Sequence, residues 1–116
     1  MKVLRRGNGD ISLTLTQNEF RKLKECDEKQ ERQDIATAEI IPFPPDSSDP
    51  LEGKKVAFIY DASRDRDCGL DCSEMIKHFN SPPIPVYISS RAVKRLEEGE
   101  FCGSCYADAK LEIKLE

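Results

Sequence analysis

Apolar and polar residues alternate at the start of the chain around a strong turn signal. Residues 2–6 and 11–16 flank Gly7-Asn8-Gly9-Asp10, and Asn-Gly supplies the positive backbone angles a two-residue hairpin turn requires. With Asn8 and Gly9 at the turn centre, Arg6 is expected opposite Ile11 and Leu4 opposite Leu13. Ile11, Leu13 and Leu15 then share one face, with Ser12 and Thr14 on the other. The period changes at Thr16. Thr16-Gln17-Asn18-Glu19 reads as a capping box, and Leu15 and Phe20 stand where a hydrophobic staple forms. Phe20 and Leu23 can cover the hairpin. From 24 to 34 the helical pattern continues with almost no apolar stripe, supported by pairs such as Glu25/Lys29 and Glu28/Arg32. That stretch reads as a solvated helix, with a charged docking arm as its functional alternative. Residues 38–41 suit a short edge strand.

Prolines 42, 44, 45 and 50 and the Asp-Ser-Ser-Asp run make residues 42–53 a linker of turn chemistry. Beyond it, strand and helix patterns alternate. Val56-Ala57-Phe58-Ile59-Tyr60 is a continuous apolar run fit for a strand covered on both faces. Residues 73–80 suit a short helix stopped by Asn80, Pro82 and Pro83. Residues 84–89 suit a strand that Pro85 places at an edge near its start. Residues 90–98 suit a helix with a serine before it and Gly99 just past it. Residues 109–115 alternate strictly, as a strand with one buried face does. The expected fold is therefore α+β or small α/β: a hairpin and charged helix (1–41), a linker (42–53), and a β-α-β-α-β unit (54–116). The hairpin can extend the second unit's sheet or stand apart from it.

Composition makes the cysteines important. The chain has 116 residues, of which 38% are apolar, 34% charged and 7% aromatic, with no Trp and five Cys. A chain this short buries proportionately little surface, so a staple would contribute visibly to its stability. The net charge of −4 is spread over both halves, without the clustered positive charge of a duplex-binding surface. Another protein is the expected partner, ahead of nucleic acid, and a second copy of the chain is allowed. No run of about 18 apolar residues and no signal-like opening is present, which leads to the expectation of a cytoplasmic protein without a membrane span. Cytosol keeps thiols reduced, so paired cysteines there point to metal binding or redox chemistry.

Cys68-Gly69-Leu70-Asp71-Cys72 and Cys102-Gly103-Ser104-Cys105 are two close pairs, each in an expected loop. A short spacing lets one turn offer two sulfurs to one ion, and glycine lets the backbone bend around it. Cys68, Cys72, Cys102 and Cys105 are therefore expected to hold a structural zinc ion, which favours four thiolates in closed tetrahedral geometry. The first spacing, Cys-x3-Cys, departs from the commoner Cys-x2-Cys. His78, the only histidine, is the alternative fourth ligand. A thiol–disulfide protein using Cys102 and Cys105 is the second reading, although the carboxylates of Glu97, Glu98 and Glu100 would oppose an activated thiolate. Cys26 stands apart in the charged helix as a bystander.

Two further constellations carry chemistry. Asp61, Asp65, Asp67 and Asp71 follow the apolar strand, at the end where α/β folds place ligand groups. Phe58-Ile59-Tyr60-Asp61-Ala62-Ser63 resembles the opening strand of ribonuclease-H-like nucleases, and the resemblance implies a metal-binding role for Asp61. Arg64 and Arg66 interleave with these acids, so a self-neutralising, solvated loop is the favoured account. Ser90, Arg91, Lys94 and Arg95, at a helix start, could contact a phosphate or other anion. The favoured reading of that segment is an amphipathic helix with a cationic outer side. The whole suggests a small, non-catalytic interaction or regulatory module stabilised by zinc.

Overall fold

The computed structural model describes residues 1–6, 10–43, 53–64, 70–71, 73–78, 80–99, 101–104 and 110–116. The N-terminal hairpin forms from β1 (Lys2–Arg6) and β2 (Ile11–Leu15). Its register differs by one residue from the Asn-Gly expectation. Arg5, not Arg6, is opposite Ile11, and Val3 is opposite Leu13, while the Arg6 amide donates to the Asp10 carbonyl at 2.8 Å. This register sets the fully buried Val3 opposite the fully buried Leu13. With period two along a strand, that single step decides which side chains of β1 enter the core.

Helix α1 (Gln17–Lys29) starts as its pattern requires. The Thr16 hydroxyl accepts from the Glu19 amide at 3.1 Å, and Glu19 returns a carboxylate to the Thr16 amide at 2.9 Å. It also ends earlier than the charge pairs suggest. Gln30 adopts φ 54° and ψ 37°, and its amide turns back to the Asp27 and Cys26 carbonyls. The reason lies just beyond: Ile35 and Ile40 are buried, and the β-branched residues Ile35, Thr37, Ile40 and Ile41 gain more as a strand than as solvated helix. The result is β3 (Gln33–Phe43), eleven residues long. It is an interior strand, where residues 38–41 had suggested only a short edge. A register shift between Asp34 and Ala36 breaks its alternation, so Ile35 is buried and the inward set resumes at Ala36, Ala38 and Ile40. A bulge of this kind hides a strand from a strict period-two reading.

The remaining elements are β4 (Lys55–Tyr60), β5 (Leu70–Asp71), β6 (Ile84–Ile88), α2 (Ser90–Glu98), β7 (Phe101–Ser104) and β8 (Lys110–Leu115). The helix expected over 73–80 is not there. Among its described residues are turns and one 3-10 turn, Ile76–His78, where the His78 amide donates to the Met75 carbonyl. Asp71 takes the Ser73 amide on its side chain at 2.9 Å, the local bond by which Asp competes with helix backbone, and Pro82-Pro83 closes the segment.

Among the described residues, eight strands join one mixed, curled sheet in the order β5-β6-β4-β3-β1-β2-β8-β7, in an α+β fold with two helices. The hairpin thus extends the sheet. β3 links the two parts: Gln33 to Glu39 pair antiparallel with β4, and Ile40 to Phe43 pair parallel with β1. β4 and β6 are parallel neighbours, and so are β2 and β8. The core lies on one side of this curl, where Leu13, Leu15, Leu23, Phe58, Tyr60, Ile84, Ile88, Leu96 and Ile113 come together. A small second cluster of Ala57, Ile59 and Tyr87 lies on the other face of β4 and β6. Among the described residues no helix is long and apolar enough to cross a membrane.

Candidate functional site

Strands β4 and β6 run side by side in the same direction and finish at Tyr60 and Ile88. The carboxyl ends of parallel strands are where such sheets gather polar groups. Two clusters stand there, one toward each face.

The inner cluster joins three elements. Tyr60, the last residue of β4, is fully buried, and its hydroxyl donates to Asp27 Oδ1 at 2.8 Å. Ser90, the first residue of α2, gives its hydroxyl to the same oxygen. Gln30 Nε2 lies 3.0 Å from the Tyr60 hydroxyl, 3.3 Å from Ser90 Oγ and 2.7 Å from the Asp27 carbonyl. Burial, aided by the adjoining Asp27 carboxylate, raises the Tyr60 phenol above its ordinary pKa and keeps it a donor. This cluster was not evident in the sequence. Asp27 lies in the charged stretch read as solvated, but it follows Phe20 and Leu23 by seven and four residues, on the inward side of α1. Cys26 shares that side: it is buried, and its thiol donates to Gln33 Oε1 at 3.1 Å. Burial pushes the thiol's pKa up, which suits a packing role rather than a nucleophile.

The outer cluster centres on Arg64, in the 3-10 turn Ala62–Arg64 that follows β4. Its guanidinium lies 3.6 Å from Asp61, 3.4 Å from Asp71 and 3.3 Å from Glu74, and sits over the Tyr87 ring at 3.9 Å from the ring centroid. Asp61 also accepts from the Ser63 amide at 3.0 Å and hydroxyl at 2.7 Å, and Arg32 stands 3.9 Å away. Tyr87 donates to Glu74 at 2.9 Å. The sequence suggested a self-neutralising loop, and Arg64 does neutralise Asp61 and Asp71. Solvation is the part that fails: Asp61 and Asp71 are only 7% and 4% exposed. Asp65, Asp67 and Arg66 lie outside the described residues.

Comparison with protein families, curated proteins and solved structures found no match. The anion contact suggested at the start of α2 meets an occupied position, because Ser90 already serves the Asp27 carboxylate. Arg91, Lys94 and Arg95 are on the exposed side of that helix, away from the buried Ala92, Val93 and Leu96.

Of the four cysteines expected to bind zinc, Cys68, Cys72 and Cys105 lie outside the described residues, and Cys102 is in β7. His78, half-buried, ends the short turn after β5. Among the described residues no group of three or more His, Cys, Asp or Glu side chains is arranged to hold a metal ion. The strand order adds a constraint. β5, between Cys68 and Cys72, and β7, carrying Cys102, are the two outermost strands. Seven interstrand steps of about 4.8 Å would separate them by roughly 34 Å in a flat sheet, so one ion shared by both pairs depends on the curl.

Proposed function

We propose that this chain is a small, non-catalytic protein-interaction or regulatory module whose sheet is fastened by a structural zinc ion on Cys68, Cys72, Cys102 and Cys105. One observation carries the non-catalytic reading. Both polar clusters at the carboxyl ends of β4 and β6 are closed within the chain: Arg64 bridges Asp61, Asp71 and Glu74, and Asp27 takes the hydroxyls of Tyr60 and Ser90. Groups committed to each other in this way favour rigidity over proton transfer to a substrate.

The zinc reading rests on the paired spacing of the cysteines, and the sheet gives it a concrete role. An ion ligated by both pairs ties the segment around β5 to the segment around β7, joining the two outer strands of a curled sheet. Protein purified without added metal is expected to contain close to one zinc per chain. Cys68→Ser and Cys105→Ser are each expected to lower the melting temperature and to reduce metal content in parallel. Metal far below one per chain, or an unchanged melting curve in both variants, removes the site. Cys102 lies in a strand rather than at a helix N-terminus, so no helix dipole favours its thiolate, and the thiol–disulfide reading gains no support.

The surface offered to a partner is the β7 edge, because an outermost strand can receive another chain's strand by backbone pairing. A partner captured by the wild-type chain and lost with Gly103→Pro, which disturbs the β7 backbone opposite Leu111, would support this assignment. Capture that is indifferent to Gly103→Pro places the interaction elsewhere.

A further inference from the structure

The C-terminal end of α2 and the last residues of β8 border a hollow of about 340 Å³, lined by Leu96, Glu97, Glu98, Gly99, Lys114 and Leu115. Its floor is apolar: Leu96 is buried, and Leu115 is half-buried against the main core. Its rim is charged, and two of the charged side chains are already engaged. Glu97 pairs with Lys24 of α1 at 3.1 Å, and Lys114 with Glu112 at 3.2 Å. Glu98 is exposed and has no ion-pair partner among the described residues. Helix α2 stops at the same place. Gly99 has φ 139°, its amide donates to the Leu96 carbonyl at 3.3 Å, and no described atom lies within 4 Å of where a Cβ would stand. The negative end of the helix dipole and the Glu98 carboxylate therefore both border one apolar floor.

Lys and Arg fit such a place. Each carries a cationic head on a long aliphatic stem, and lays the stem on apolar surface while the head stays with polar groups. We infer that this hollow receives a Lys or Arg side chain of the protein partner, delivered by a strand that pairs along the outer edge of β7. Gly99 stands two residues before Phe101, where β7 begins, and Phe101 is opposite Ile113, just ahead of Lys114 and Leu115. The hollow thus adjoins the start of the β7 edge. The inference rests on the assignment of that edge to the partner and adds the partner's chemistry: an extended segment with a basic residue at the end that meets Phe101. An acidic residue there would meet like charge, both from Glu98 and from the end of α2.

Titration of the isotope-labelled full chain with short synthetic peptides, followed by backbone amide shifts, tests this. The probes are peptides of alternating Thr and Val with Arg as the first or the last residue, and matched peptides with Gln or Glu in its place. An Arg peptide is expected to shift the amides of Leu96 to Gly99, Lys114 and Leu115 together with those of β7. At low salt it is expected to bind about fivefold more tightly than its Gln counterpart, the scale of an exposed ion pair beside a helix end. Glu98 is exposed, so Glu98→Gln leaves folding unaffected, and it is expected to bring that ratio below about twofold. Added salt should shrink the ratio in the same direction. Arg and Gln peptides bound equally along β7 would overturn the inference while leaving the edge assignment in place. Shifts at the hollow without shifts in β7 would overturn the edge assignment instead, with the preference for a basic side chain standing. No shift with any peptide would overturn both.

Discussion

Phe58→Ala is expected to destabilise the fold by about 3–5 kcal/mol, the range for deleting a buried aromatic ring. Phe58 is fully buried in the middle of β4, with Ala36 of β3 on one side and Val86 of β6 on the other. It lies where the two parts of the chain meet, because β3 comes from the segment before residues 44–52 and β6 from the segment after. Ala36 is a small neighbour and cannot expand into the space a deleted ring leaves. The cavity term therefore adds to the lost transfer energy. Total stability of an ordinary domain is about 5–15 kcal/mol, so the loss would be a large share of it. Urea unfolding followed by far-ultraviolet circular dichroism measures the effect through the shift in midpoint. Phe58→Leu refills much of the volume and is expected to cost less than half as much. A loss below about 1 kcal/mol for Phe58→Ala would mean that this ring does not fill the core.

The same position shows what pattern reading can recover. Val56 to Tyr60 announced a strand covered on both faces, and the structure covers both: Val56, Phe58 and Tyr60 enter the main core, and Ala57 and Ile59 the smaller cluster with Tyr87. The capping box at Thr16 and Glu19, helix α2 and strand β8 were legible for similar reasons, since their local chemistry and tertiary burial agree. β3 was largely hidden. The charge pairs before it imitate helix, and the bulge at Ile35 removes the alternation that would have identified a strand. The hairpin register escaped for a related reason: Asn-Gly favours one pairing of the strands, but burial of Val3 against Leu13 selects a register one residue away. In each case a tertiary contact outweighed a local preference worth about 1 kcal/mol or less.

The polar clusters divide in the same way. Asp61 was singled out because it follows a buried strand, and it does occupy that position. Through Arg64 it is joined to Asp71 and Glu74, 10 and 13 residues further on, and nothing in the local pattern links those positions to it. Ser90 stands at the start of α2, where the sequence suggests contact with an external anion. The group that meets it belongs to the chain itself. Asp27 is in the last turn of α1, where a carboxylate opposes the helix dipole. Its position becomes intelligible only once the start of α2 lies beside it, where negative charge is favoured.

Asp27→Ala is therefore expected to cost about 1–3 kcal/mol, more than removal of an exposed helical carboxylate should. The substitution removes the acceptor for the Tyr60 hydroxyl, 2.8 Å away, and for the Ser90 hydroxyl. Tyr60 is fully buried, so water cannot replace the lost acceptor without opening the contact between α1 and α2. Improved helix propensity from alanine works in the other direction, by about 0.5 kcal/mol, and Ser90 Oγ, 3.2 Å from the phenol, restores only part of the lost bonding. Asp27→Asn keeps one side-chain oxygen and is expected to be milder. The diagnostic experiment is a double-mutant cycle. In a Tyr60→Phe background the phenolic donor is already gone, so Asp27→Ala should cost about 1 kcal/mol less than it does in the wild type. An additive cycle would show that the carboxylate and the phenol do not support each other. A coupled one would establish that a carboxylate opposed by its own helix is retained because it secures the ends of α1, β4 and α2 at a single point.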